Sequence, residues 1–169
     1  MTMAAATLPA VPTAAAAPGG CPHADEAPSS VAGARSATLC LLNLERAHRG
    51  LRPLRSDSRL QLAATAYSRR MVRQHFFDHV GPDGSTLRQR IATAGYGGWT
   101  SIGENLAWGS GSLGTPQKIV GDWMQSPGHR ANILQPAFRQ IGIGVARGAP
   151  LSAVSGTAAV YTTDFARPR

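Results

Sequence analysis

Near its C-terminal end the chain reads Ile141-Gly142-Ile143-Gly144-Val145. Branched apolar residues alternating with glycine predict a strand with one apolar face and one face without side chains. Glycine on a strand face marks the close approach of another backbone. A second run, Thr157 to Phe165, predicts the last strand, reached through a loose connection of small residues from Gly148 to Gly156. Upstream of these strands the apolar period is helical. Helices first and a small sheet mainly from the C-terminal half make the predicted class α+β.

The helices are read from their spacing and their ends. Ser36 is a good N-cap and Gly50 a good residue to follow a helix end. Between them Leu41, Leu44 and His48 share a face, with Ala37 and Cys40 beside it, and His48 reads as a surface histidine. Pro53 keeps Arg52 extended. A second helix begins at Asp57 or Ser58, with Leu60, Ala64, Tyr67 and Met71 facing inward and Arg59, Arg69, Arg70 and Arg73 facing solvent. Pro82-Asp83-Gly84 is a turn. Asp83 or Ser85 then caps a third helix that buries Leu87, Ile91 and Ala94 and ends at Gly95. Ser101 to Trp108 reads as a short strand or extended loop, and Gly109 to Gly114 as a flexible stretch. Thr115-Pro116 opens a fourth helix with Ile119, Val120 and Trp123 buried. Pro127 prevents its continuation.

The 169 residues suffice for one domain with one core. No apolar run is long enough to span a bilayer. The net charge of +8 favours polyanionic surroundings, such as an anionic cell-wall polymer or a membrane surface met through an arginine-rich face. No basic cluster is interleaved with aromatics, which argues against specific nucleic-acid binding. A monomer is expected. Residues 1–33 are rich in alanine and proline and read as a disordered arm or the remnant of a secretory signal, with Thr13 to Ala17 resembling its cleavage end. Residues 34–169 are the folded domain. Cys21 and Cys40 are either a disulfide that ties this arm to the first helix or two unpaired thiols.

Three residues carry the chemistry: His79, Glu104 and His129, each beside a glycine or a turn. Imidazole and carboxylate together form a ligand set for divalent metals. The same groups can instead make a buried hydrogen-bonded network that orders two loops. Ser126 lies three residues before His129, and Glu104 could orient that imidazole, which reads as a triad. No nucleophile-elbow spacing surrounds Ser126, however. It reads more simply as the last residue of a helix.

Several stretches together are similar to one family. Phe77-Asp78-His79 with Pro82-Asp83-Gly84, then Gly103-Glu104-Asn105-Leu106-Ala107, then Trp123 through Leu134 with its Ser126-Pro127-Gly128-His129-Arg130 core, then Ile141 to Val145, resemble the CAP superfamily. That group comprises the cysteine-rich secretory, antigen 5 and pathogenesis-related 1 proteins, and its domain is also called SCP. The Ser-Pro-Gly-His-Arg form resembles the bacterial branch, and Asn43 with Arg46 fits the family's Asn-x-x-Arg start. The likeness runs from about Ala37 to Phe165. It implies an α-β-α sandwich with a small, mainly antiparallel sheet flanked by helices, secreted or surface-bound, with an open cleft. It places His79, Glu104 and His129 in that cleft, with Ser126 and Asn105 beside them. His79, His129 and Glu104 would be the ligands if zinc or magnesium binds. An acid that completes the set in eukaryotic members falls here at Ser126, and Asp122 is one turn earlier. The family implies no single reaction. The expected role is binding of a small ligand, lipid or protein partner or a weakly held metal, with a protease-like hydrolase and a sterol or lipid carrier as alternatives.

Overall fold

The glycines of the alternating strand set how the layers stack. The computed structural model describes residues 20–151 and 157–169; the signal-like stretch Thr13 to Ala17 and part of the loose connection fall outside them. Strand β3 (Gln140–Arg147) pairs antiparallel with β4 (Ala158–Pro168), and helix α2 (Ser58–Gln74) lies across both. A Cβ on Gly142 would collide with the main chain of Leu60, and one on Gly144 with that of Ala64. The approaching backbone implied by the glycines is therefore that of α2. Ser68 Oγ, on α2, donates to the Gly144 carbonyl at 3.2 Å and lies 2.8 Å from Thr162 Oγ1 of β4.

The sheet has the order β1-β3-β4-β2. The long strand β2 (Trp99–Ser110) runs antiparallel to β4 along its full length. The short strand β1 (Arg55–Ser56) is parallel to β3. Central β4 is buried from Ala158 to Ala166, on both faces. On one face lie α2 and α3 (Leu87–Thr93). On the other lie α1 (Val31–Ala47), α4 (Pro116–Gln125) and α5 (Pro127–Ile133), around Leu42, Trp123, Ile133, Ile143, Tyr161 and Phe165. This is the α-β-α sandwich, with helices on both faces of a mainly antiparallel sheet.

Asp57 caps α2 through its carboxylate, and Thr115 caps α4 with Pro116 in its first turn. Several expectations are corrected. Helix α1 starts at Val31 with Ser30 as its N-cap, and Ser36 lies inside it. The inward face of α1 carries Leu42 and Arg46, whereas Leu44 and His48 lie further out. Thr86, in a capping box with Gln89, caps α3 in place of Asp83 or Ser85. Gly109 to Gly114 is ordered: β2 continues to Ser110, a tight 3-10 turn follows, and the Gly111 N–H donates to Thr157 at 2.8 Å. Pro127 ends α4 and also starts α5, so the Pro-Gly corner is the first turn of a new helix.

Residues 20–30, read as part of the arm, are tied to the body. Cys21 and Cys40 form a disulfide with Cα atoms 5.7 Å apart. The Gln117 N–H of α4 donates to Ala24 at 2.7 Å. Arg46 is completely buried and meets no carboxylate. Its guanidinium donates to four main-chain carbonyls, those of Arg52, Ile133, Gln135 and Phe138, at 2.7–3.3 Å. Asn43, one turn before it, both donates to and accepts from the backbone of Leu54. The Asn-x-x-Arg pair thus fastens α1 to the segments before β1 and after α5.

Candidate functional site

The site lies at the β2 edge of the sheet. Three elements converge there: the loop after α2, strand β2, and the first turn of α5. The loop is fixed from below. Tyr67 Oη donates to the Asp78 carbonyl at 2.7 Å, and Arg90 Nη1 donates to the carbonyls of His79 and Ser85, each at 2.9 Å. Asp78 and Asp83 accept from main-chain N–H groups two residues on and hold the turns. Arg70 binds Asp83 at 2.9 Å.

Glu104 on β2 is the hub. Its side chain is only 4% exposed, and both oxygens are engaged. His79 Nδ1 donates to Oε1 at 2.7 Å, and Arg90 Nη2 donates to Oε2 at 2.6 Å. The Arg90 guanidinium stacks 3.4 Å from the centre of the Tyr67 ring. Burial pushes the Tyr67 phenol up to about 12, so it stays neutral. Directly across the strand pair from Glu104 is Asp164, 1% exposed, with Gly142 on its other side. Neither Asp164 oxygen has a hydrogen-bond partner among the described residues. Burial first, then the Glu104 charge, pushes its carboxyl well above the usual range. Of this pair of acids, Asp164 is the one whose surroundings disfavour the charged form.

The two imidazoles differ. The hydrogen bond to Glu104 raises the pKa of His79, whose side chain is 57% exposed. Burial, and then the charge on His79, lowers that of His129. His129 is half-buried and its ring is tilted against Trp123, with centroids 6.5 Å apart. Asn105 and Asn132 fasten its helix. Asn105 Nδ2 donates to the His129 carbonyl at 3.0 Å, and Asn132 Nδ2 donates to the Glu104 carbonyl at 3.1 Å and to Asn105 Oδ1 at 2.9 Å. Gly103 makes room for this: a Cβ there would sit 2.7 Å from Asn132 Oδ1. Asn105 is fully buried, so it positions His129 and does not itself face solvent.

The structure brings His79 onto Glu104 and aims His129 at the same edge. No hydrogen bond joins Ser126 to His129 among the described residues, and the carboxylate that would orient a triad histidine is held by His79 and Arg90. Asp122 is exposed and pairs with Lys118 at 2.5 Å, on the outer face of α4. The side chains as placed do not fit a divalent cation. Among the described residues no three His, Cys, Asp or Glu side chains group so as to hold one. The Glu104 carboxylate already carries a cation of its own, the guanidinium of Arg90.

Sequence reasoning missed three members of this site. Arg90 precedes a core residue, Ile91, on a short helix, and nothing in its spacing marks it. Asn132 lies in the quoted motif, but its partner across the chain is not visible there. Asp164 did leave a signal, as an acid inside an otherwise apolar and small-residue strand.

The sandwich with this edge site defines an SCP-type domain, and comparison with known proteins agrees. The cysteine-rich secretory protein family, CAP, matches residues 39–163, and the chain belongs to that family. It is 39% identical over 118 residues to the uncharacterized protein YkwD of Bacillus subtilis, an alignment that covers 70% of this chain and 44% of YkwD. In structure it is similar to an extracellular SCP-domain protein of Bacillus anthracis, with a TM-score of 0.65 at 24% identity, covering 83% of this chain and 44% of that one. It is also similar to an outer surface protein of Borrelia burgdorferi, with a TM-score of 0.60 at 22% identity, covering 76% and 87% of the two chains. The chain spans less than half the length of YkwD. Among the described residues no helix is long and apolar enough to cross a membrane.

Proposed function

We propose that this chain is a binding domain that works outside the cytoplasm, and that the cleft of His79, Glu104 and His129 takes its ligand by hydrogen bonding, with no metal and no reaction. The observation that carries this reading is the closure of Glu104 by His79 and Arg90. A carboxylate held this way is neither a free base nor a free metal ligand. It instead sets the tautomer of His79, with the proton on Nδ1, leaving Nε2 as an outward acceptor toward a hydroxyl or N–H donor on the ligand. His129 supplies a neutral imidazole beside it. The Cys21–Cys40 disulfide supports an oxidising compartment. The arginine-rich surface supports contact with an anionic wall or membrane.

Calorimetric titration of metal-stripped protein with zinc at pH 7.5, beside His79→Ala and His129→Ala, tests this. The wild type is expected to show no site-specific heat. Micromolar binding lost in both variants would overturn the metal-free reading. A hydrolase built on the same cleft predicts turnover that Ser126→Ala abolishes.

A second reading, an apolar ligand held between helices, is supported by a hollow of about 350 Å3 between α2 and α3. Leu62, Ala63, Ala66 and Ala94 are the apolar part of its lining, which also includes Arg70, Asp83 and Arg90, and Leu62 is 60% exposed. A lipid that co-purifies and survives His129→Ala would favour this reading over the first.

A further inference from the structure

At the opposite edge of the sheet from Glu104, three arginines converge on one hollow. Arg69 and Arg73 stand one turn apart on α2, and Arg147 is the last residue of β3. With Val31, Val72 and Val145 they line a space of about 240 Å3 whose lining includes no acidic residue. None of the three guanidinium groups has a hydrogen-bond or ion-pair partner among the described residues. Arg49, Arg59, Arg70 and Arg90 differ in this, because each holds a carboxylate. The edge itself is open: β1 pairs only with Gln140 and Ile141, and beyond them this side of β3 has no strand partner among the described residues.

Like charges four residues apart on a helix repel, and Arg147 adds a third. Such a group is relieved by an anion that several guanidinium forks can grip at once. A tetrahedral oxyanion presents enough oxygens for this, whereas a carboxylate fills a single fork. The valines give the hollow an apolar wall, which suits a short carbon chain attached to the anion and gives nothing to an inorganic ion. We infer that the hollow between α2 and the open edge of β3 is a binding site for a phosphate ester, its phosphate held by Arg69, Arg73 and Arg147 and its carbon chain lying on Val31, Val72 and Val145. The site is independent of the His79 cleft and works without it.

Glycerol 3-phosphate is the probe, titrated into the full chain while the arginine Nε–H signals are followed by NMR. The expected result is saturable binding that is about tenfold or more weaker in Arg73→Gln and in Arg147→Gln, and unchanged in Arg52→Gln, an exposed arginine elsewhere. Inorganic phosphate should bind more weakly than the ester. Co-sedimentation with vesicles of equal parts phosphatidylglycerol and phosphatidylcholine separates the sources. A matching loss in Arg73→Gln assigns the phosphate to a lipid head group, and a loss seen only with glycerol 3-phosphate assigns it to a free or polymer-borne ester. Equal losses for Arg52→Gln and Arg73→Gln, or no saturation with either probe, would overturn the proposal. Circular dichroism of each variant confirms that it is folded, since all three side chains are exposed.

Discussion

Replacing Arg46 with methionine should unfold this domain far more readily than its position on a surface-borne helix suggests. The guanidinium has no exposure and makes four hydrogen bonds, to carbonyls of two segments far apart in the chain. A bond from a charged donor contributes about 1.5–3 kcal/mol, so four of them outweigh the several kcal/mol that burying the cation costs. Burial, and secondarily the Arg139 charge, pulls the pKa of Arg46 down, in the direction that this cost implies. Methionine keeps the apolar stem and removes the cost, but strands the carbonyls of Ile133 and Phe138 in a dry interior. The net loss is about 3 kcal/mol or more, roughly 10 °C in Tm for a chain of this size. Lysine should do no better. It retains the charge and its desolvation cost, but one ammonium cannot span carbonyls spread over the reach of a planar fork. Guanidinium chloride unfolding at pH 7 reads both variants, with an unchanged slope as the sign that the denatured state is unaltered. A loss below about 1 kcal/mol for Arg46→Met, or lysine behaving as wild type, would refute the argument that the geometry of the fork, and not charge, holds these segments.

Three further outcomes are expected. Gly144→Val should cost at least about 3 kcal/mol, because its Cβ would meet the main chain of Ala64, which has no side-chain freedom to yield; a thermal scan showing less than a 5 °C drop, at about 2–4 °C per kcal/mol, would count against that close approach. Reduction of Cys21–Cys40 should lower stability by roughly 3 kcal/mol, from closing a loop with a sequence separation of 19; an unchanged Tm under mild reductant would contradict it. Asp164→Asn should stabilise the protein increasingly from about pH 4 to pH 7. With its folded pKa raised by burial and by Glu104, the native state binds a proton that the unfolded state releases, so the wild type loses up to about 1.4 kcal/mol per pH unit across that window. Parallel unfolding curves for the two proteins at pH 4.5 and pH 7 would show that Asp164 is not held protonated.

What could be read from the sequence follows the range over which each cause acts. Helices α2 and α4 were legible because their caps, Asp57 and Thr115, and their buried rows lie within a few residues. The glycine alternation announced a backbone contact without naming the partner. Helix α1 was misread because its buried row includes two polar residues, Thr38, satisfied by the Ala34 carbonyl one turn back, and Arg46, satisfied by main-chain groups far along the chain. His79, Glu104 and His129 stood out through their motif settings, and the structure pairs the first two. Arg90 and Asp164 could not be placed with them, since one arrives by the docking of α3 and the other by strand register. Asn105 was placed in the cleft by its neighbours in the motif, yet its amide faces inward, toward the carbonyl of His129.

The contact of α2 with Gly142 and Gly144 has a mechanical consequence. Side chains that separate a helix from a sheet act as a compressible cushion, through which small shifts can be absorbed by rotamer changes. Here peptide lies on peptide, and rotamers have nothing to adjust. Helix and sheet thus translate and tilt as one solid piece. The loop bearing His79 leaves one end of that piece, and Glu104 is hydrogen-bonded into it through β4. The distance between imidazole and carboxylate is consequently set by covalent geometry and close contact along the whole path. That edge therefore holds its imidazole and carboxylate at one fixed spacing, like marks on a ruler.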